Sequence, residues 1–225
     1  MVKAVFFDWM NTLAHPEPDR HEYYCRVARE LGLELSPQKV MRGIYMADNQ
    51  VPAGIPPKWS EEKDQAPFIR FQEIILAEAG VKLPRDMTLK LIKKFKQALE
   101  GATWVLYDDV LSTLKALKPR GLILGLISNL YIGRAGAGLD PYLDLVVTAK
   151  EAGAGKPEPP IFRLALERAG VEASQAIYVG DQYDTDVVGA RGVGITPILI
   201  DRYDLMPEVS DCPRIRSLPE VAQYL

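Results

Sequence analysis

Apolar residues gather in four short runs with almost no polar interruption: Ala4 to Phe7, Leu122 to Ile127, Leu145 to Val147 and Ile177 to Val179. A strand covered on both faces reads this way, whereas a half-exposed antiparallel strand alternates. Ile195 to Ile200 forms a fifth run, but Pro197 lacks the backbone donor that a ladder uses, which predicts the edge of the sheet for this strand. Between the runs the spacing lengthens to the helical period. Val110, Leu111, Leu114 and Leu117 mark a helix over Asp109 to Lys118, and Ile161, Leu164 and Ala165 mark one over Pro159 to Ala169 with Gly170 as its C-cap. Strand alternating with helix predicts right-handed crossovers and an α/β fold: a doubly wound parallel sheet with helices on both faces.

Residues 16 to 103 break this rhythm, because they carry helical signals only. Tyr24, Val27, Ala28 and Leu31 share one face before Gly32, Ser36 and Pro37 read as an N-cap and first helical residue, and Leu89, Ile92, Phe95 and Leu99 form a stripe before Gly101. The pattern predicts a core built from residues 1–15 and 104–225 with a helical insert over 16–103. His15 to Pro18 reads as a hinge, with a counterpart near Gly101 to Thr103, and Val51 to Pro57 as a loop within the insert. The lysines of Lys90 to Lys96 flank the last stripe and read as the solvated side of an amphipathic helix rather than a phosphate-binding patch.

Composition narrows the function. The 225 residues are 48% hydrophobic and 25% charged, as in a globular protein, and the formal charge of -3 provides no field that would draw nucleic acid or an anionic membrane. Cys25 and Cys212 are too few for a disulfide framework and lack zinc-ligand spacing. The opening apolar stretch meets an acid at Asp8, so it does not read as a signal peptide, and no run approaches a membrane span; the expected location is the cytoplasm.

Ligands of an open parallel sheet bind at the carboxyl ends of its strands. At those ends stand Asp8 and Thr12, then Ser128 and Asn129, then Lys156, then Asp181 with Asp184 and Asp186 close behind. Singly, each has a structural explanation as a cap, a turn or a solvated loop residue. Together, at four strand ends, they form a poor core and a good site for a phosphate and a cation. An oxygen-rich pair such as Asp8 and Asp181 is the ligation that Mg²⁺ takes.

Phe6 to Leu13, Ile127-Ser128-Asn129, Gly155-Lys156-Pro157-Glu158 and Val179 to Asp186 resemble, in order and spacing, the four motifs of the haloacid dehalogenase superfamily, and residues 16–103 resemble its helical C1 cap. The resemblance implies a Rossmann-like core with strand order 5-4-1-2-3. It implies a hydrolase, of phosphatase type, acting on a small phosphorylated metabolite. Asp8 would be the nucleophile that forms an aspartyl-phosphate, Thr12, Ser128 and Asn129 would hold or position the phosphoryl oxygens, and Lys156 would stabilise the charge. Mg²⁺ would be held by Asp8, the Met10 carbonyl and Asp181, with Asp186 as a ligand or acting through water; Asp184 lies off that spacing.

Met10 departs from the phosphatase pattern, which has a second aspartate there as general acid and base. A thioether carries no proton, so its usual contribution of about 10²- to 10⁴-fold must come from another group or be missing. His15 and His21 are the candidates within the hinge and the first insert helix. Other readings stay open: a feeble or inactive member that binds a phosphometabolite or a protein, a dehalogenase, or a phosphonatase using a cap lysine such as Lys39, Lys58 or Lys63. The dehalogenase reading is weakened by Gly180-Asp181 and by Phe162, which lacks a phenol. A superfamily branch of unassigned substrate that shares the missing acid is the nearest resemblance.

Overall fold

The structure, a computed structural model, describes residues 1–51, 65–100, 102–129, 138–139 and 141–225. Residues Pro52 to Pro57 of the expected loop, together with Lys58, Lys63 and Gly101, lie outside the described residues. The chain opens with β1 (Ala4–Phe7), every residue of which is buried, and continues into β2 (Ala14–Glu17). Helices α1 (Arg20–Glu30), α2 (Pro37–Gln50), α3 (Ala66–Glu78) and α4 (Arg85–Glu100) follow, then β3 (Thr103–Leu106) and α5 (Val110–Leu117). The remainder alternates: β4 (Ile123–Ser128), β5 (Leu145–Thr148), a short α6 (Ala149–Ala152), α7 (Pro159–Ala169), β6 (Ala176–Gly180), α8 (Val188–Gly192), β7 (Thr196–Ile200) and β8 (Arg214–Ile215). None of the helices searched among the described residues is long and apolar enough to cross a membrane.

Six strands form a parallel sheet in the order β5-β4-β1-β6-β7-β8. Counting β1, β4, β5, β6 and β7 as one to five, this is 5-4-1-2-3 with a further two-residue strand beyond the fifth. The edge position expected for Ile195 to Ile200 is therefore corrected: β8 lies outside it, pairing with Leu199 and Ile200. Pro197 is accommodated because the amides of Leu199 and Asp201 point toward β8, which places the missing Pro197 donor on that same side, before β8 begins.

Period-two alternation divides β1 between two cores. Val5 and Phe7 pack with Val110, Leu114 and Leu117 of α5 and with Leu218 and Val221 near the C-terminus. Ala4 and Phe6 pack on the other side with Ile161, Phe162 and Ala165 of α7. Burial on both faces is why β1 reads as a continuous apolar run, and the sheet is doubly wound as expected.

The described chain divides into two compact units, Met1–His15 with Leu106–Leu225, and Pro16–Val105. The second has its own core, in which Tyr24, Ile75 and Leu91 are fully buried; burial of one such aliphatic side chain contributes about 1.5–3 kcal/mol. Ser36 and Pro37 begin α2 as expected. The buried stripe of α4 is Thr88, Leu91 and Phe95, whereas Leu89 and Ile92 are half-buried. Apolar residues span a wide arc of this helix, and periodicity alone does not find its centre. Lys90 is exposed and Lys94 pairs with Glu30 at 2.5 Å. β2 and β3, which pair with each other, were not expected. Each has four residues and one partner, and Pro16 interrupts the first, so neither shows strand periodicity.

Candidate active site

The ladder carries Asp8 one residue past β1, its N–H donating to the Val179 carbonyl at 2.9 Å. The chain then folds back sharply: Leu13 and Ala14 both donate to the Trp9 carbonyl at 2.9 Å, and Asn11 donates to the Ala14 carbonyl at 2.7 Å. This loop needs a left-handed residue, and Asn11 supplies it at φ 58. The Asn11 amide also donates to Asp181 Oδ2 at 3.1 Å, linking the ends of β1 and β6. Thr12 is fully buried, and its hydroxyl has no partner among the described residues. An orphaned buried hydroxyl is costly by about 1–3 kcal/mol unless a ligand satisfies it.

Ser128, at the end of β4, is buried. The next residue clips the lysine loop in place: Asn129 Oδ1 accepts from the Lys156 N–H at 2.6 Å and its Nδ2 donates to the Lys156 carbonyl at 3.0 Å. Gly155 permits this approach, because a Cβ there would stand 2.8 Å from Asn129 Oδ1.

Lys156 is the hub. Its Nζ donates to Asp8 Oδ1 at 2.5 Å, Asp186 Oδ1 at 2.6 Å and the Tyr178 hydroxyl at 2.8 Å, and its side chain is only 4% exposed. Tyr178 in turn donates to Asp186 Oδ1 at 2.9 Å, while Asp186 Oδ2 accepts from the Gln182 N–H at 3.0 Å. Both oxygens of Asp186 are thus engaged. Its place on a π-helical turn, Tyr183–Val187, brings it back over Gly180. A Cβ at Gly180 would lie 2.3 Å from Asp186 Oδ2. Gly180→Ala is therefore expected to push Asp186 off Lys156 and cost about 2–4 kcal/mol, in the range of a broken buried network; a urea midpoint equal to wild type would show that the turn yields instead.

Asp8, Asp181 and Asp186 each place a carboxylate oxygen within 4.8 Å of the others, all three residues buried. Burial pushes the Asp8 carboxyl up to about 6 against the pull of Lys156, and the charge of Asp186 adds to the rise. Burial also works against the Lys156 charge, yet Asp186 and Asp8 outweigh it and hold the ammonium above the ordinary lysine range. Burial and the same two carboxylates hold the Tyr178 proton well above the usual tyrosine value. Three buried aspartates beside one ammonium form an oxygen-rich donor set that fits a hard divalent cation.

Of the residues singled out from sequence, Asp8, Lys156 and Asp186 are in direct contact, Asn129 grips the lysine backbone, and Asp181 joins through Asn11. Asp184 is exposed. Met10 is half-buried against the apolar core. His15 stacks on Tyr107 with centroids 4.6 Å apart, and His21 Nδ1 lies 3.4 Å from Asp19 Oδ1. Sequence reasoning missed Tyr178 and Asn11. The signal for Tyr178 is a phenol inside a fully buried strand, where its hydroxyl must find a partner. The phenol missing at Phe162 stands instead on Tyr178, against which Phe162 packs edge-on at 5.4 Å.

Comparison with known proteins places this architecture. A family model for haloacid dehalogenase-like hydrolases matches residues 2–194. The chain is 30% identical over 234 residues to haloacid dehalogenase-like hydrolase domain-containing protein 3 of Danio rerio, covering 100% of this chain and 96% of that protein. It is 35% identical over 217 residues to ribulose-1,5-bisphosphate 5-phosphatase of Halopiger xanaduensis, covering 89% and 85%. The crystal structure of a phosphatase of this superfamily from Thermococcus onnurineus superimposes with a TM-score of 0.57 at 25% identity, covering 99% of this chain and 97% of that one. The chain thus belongs to the haloacid dehalogenase-like hydrolase family, and it is a hydrolase of that superfamily.

Proposed function

We propose that the protein is a Mg²⁺-dependent phosphatase that hydrolyses a small phosphorylated metabolite through an aspartyl-phosphate on Asp8. The observation that carries this reading is the buried Lys156 Nζ joined to both Asp8 and Asp186, with Asp181 in the same carboxylate cluster and the Thr12 hydroxyl without a partner among the described residues. Asp8, the Met10 carbonyl and Asp181 would hold the cation. Bound there, Mg²⁺ would offset the carboxylate charge and polarise a phosphoryl oxygen. With both oxygens engaged, Asp186 is assigned to orienting Lys156 rather than to direct ligation. Substrate choice is assigned to the helical insert over 16–103, which is supported by its own core and by its place in the chain between the first and second strands of the sheet.

In the first step a carboxylate oxygen of Asp8 bonds to phosphorus as the ester P–O bond breaks. Thr12 and Ser128 hold the phosphoryl oxygens, and charge that develops on them meets the positive charge of Lys156, already oriented by Asp186 and Tyr178. Water then attacks the aspartyl-phosphate, freeing inorganic phosphate and restoring Asp8. The leaving oxygen must gain a proton in the first step. Met10 has none to give, so reactivity should follow leaving-group acidity: aryl and acyl phosphates fast, alkyl phosphates slow. Met10→Asp is expected to raise alkyl phosphate turnover about tenfold or more, within the range of general acids, and to flatten the dependence on leaving-group pKa. A series of substituted phenyl and alkyl phosphates measures this, and identical slopes in the two proteins would locate the acid elsewhere.

The overall reading is tested by phosphate release from a panel of phosphorylated metabolites with and without Mg²⁺, using Asp8→Asn as the blank. Mg²⁺-dependent release above the blank is expected; none from any ester would overturn it. A phosphometabolite-binding protein without turnover is the second reading, favoured by Met10, and would show ligand binding in both proteins.

A further inference from the structure

We propose that Arg202, two residues past β7, is a positioning residue that clamps the loop bearing Asp8 and Thr12; this rests on the assignment of Asp8 as nucleophile. Three features support it. The first is how Arg202 is delivered. The Asp201 carboxylate, 3% exposed, accepts from the Leu205 and Met206 N–H groups at 2.8 and 2.9 Å and from Arg214 Nη1 at 2.9 Å. Asp204 completes the turn at φ 57. The backbone under Arg202 is therefore preset.

The second is what the guanidinium holds. Its Nη1 and Nη2 grip Asp109 in a fork at 2.9 and 3.0 Å, and Nη2 also donates to the Thr12 carbonyl at 2.8 Å. Its plane is centred 4.0 Å from the Tyr107 ring, and the side chain is 10% exposed. Asp109 is itself fixed by the Leu218 N–H at 2.8 Å. The next carbonyl of the loop, that of Leu13, accepts from the Tyr107 N–H at 3.1 Å. Two consecutive loop carbonyls are thus tied to one anchored cluster.

The third is the state of Thr12. Its hydroxyl has no partner among the described residues, so its own side chain does not hold it in place and the backbone must. An ion pair serving only the core would be complete with the Asp109 fork. The additional bond goes to the loop that, in the proposed mechanism, presents both the nucleophile and a phosphoryl-binding hydroxyl. A fork is required, because one ammonium cannot hold Asp109 in two places and still reach the carbonyl.

The test is amide hydrogen exchange on the full-length protein, with kcat and KM measured on an aryl phosphate. In Arg202→Lys and Arg202→Ala, the amides of Asn11, Leu13 and Ala14 are expected to exchange at least about tenfold faster, while those of Val5, Phe6 and Phe7 stay within about twofold, the pattern of a local opening. On the same variants kcat should fall about 10²-fold with KM little changed, as misplacement of reacting groups does, and guanidinium ion should restore part of kcat in Arg202→Ala. If Arg202→Ala does not fold, Arg202→Lys, which keeps a charge for Asp109, decides the matter. Equal acceleration of loop and β1 amides, or unchanged loop amides, would overturn the clamp, and an unaltered kcat with a loosened loop would overturn its catalytic purpose. Should wild type release no phosphate from any ester, the nucleophile assignment fails while the exchange measurement still decides whether Arg202 holds the loop.

Discussion

Asp8→Asn is expected to abolish turnover, by at least about 10⁴-fold as for the loss of other catalytic nucleophiles, and at the same time to stabilise the metal-free protein above pH 6. The two effects have one cause. The site gathers three buried carboxyl groups, two of them on one ammonium, a charge arrangement suited to a cation and a phosphoryl group. Asn keeps an oxygen that accepts from Lys156 but loses the anionic nucleophile and one unit of excess charge. The sign follows from the raised Asp8 carboxyl. Its folded value, about 6, exceeds the ordinary 3.8, so the folded state holds the proton more tightly and stability falls as pH rises between those values. The variant does not suffer that loss, so its advantage is absent below pH 4 and complete above pH 6, amounting to at most about 3 kcal/mol. Urea titrations at pH 4 and 7.5 with chelator present measure it. Added Mg²⁺ should then stabilise wild type far more than the variant. A variant less stable than wild type at pH 7.5 would show that Lys156 already satisfies the cluster.

Lys156→Met should have the opposite effect on stability. Removing the ammonium that touches both Asp8 and Asp186 leaves two buried carboxyl groups without it, a change that typically costs 3–5 kcal/mol, here taken as about 4. The raised Lys156 value means that the wild-type contribution is fully present below the ordinary lysine pKa and is lost only as pH rises beyond it, so a scan through neutrality leaves it intact. In the variant the Asp8 carboxyl, already raised by burial, loses the pull of Lys156 and must take up a proton to stay buried. Its deficit should therefore shrink at pH 5 and widen at pH 7.5. Turnover should fall by roughly 10²- to 10³-fold with the loss of a preorganised phosphoryl contact. Denaturant midpoints at the two pH values measure the first effect, and a deficit independent of pH would assign the loss to packing alone.

Local pattern is enough to locate the five principal strands of the sheet and helices α5 and α7, because burial on both sheet faces or along one helix stripe leaves its period in the residues themselves. Asp8, Ser128, Asn129 and Asp181 are legible for a related reason: polar groups at or just past the end of a buried strand must stand at its carboxyl edge, whereas Thr12, in the loop after β1, and Lys156, beyond α6, rest on the resemblance of their motifs. Short pairings leave no such trace. β8 contributes two residues and β2 and β3 four each, and what defines them is a partner far along the chain. The site is joined over the longest distances of all. Lys156 meets Asp8 across 148 positions, Asn11 meets Asp181 across 170, and Arg202 meets Thr12 across 190. Residue type shows that Tyr178 needs a partner, but only the approach of the lysine loop and of the turn after β6 determines that its partners are Lys156 and Asp186. The sequence by itself determined which groups reach the edge of the sheet; the tertiary structure decided which of them share a proton, a charge or a carbonyl, because those contacts depend on strand order and loop closure rather than on neighbours in the chain.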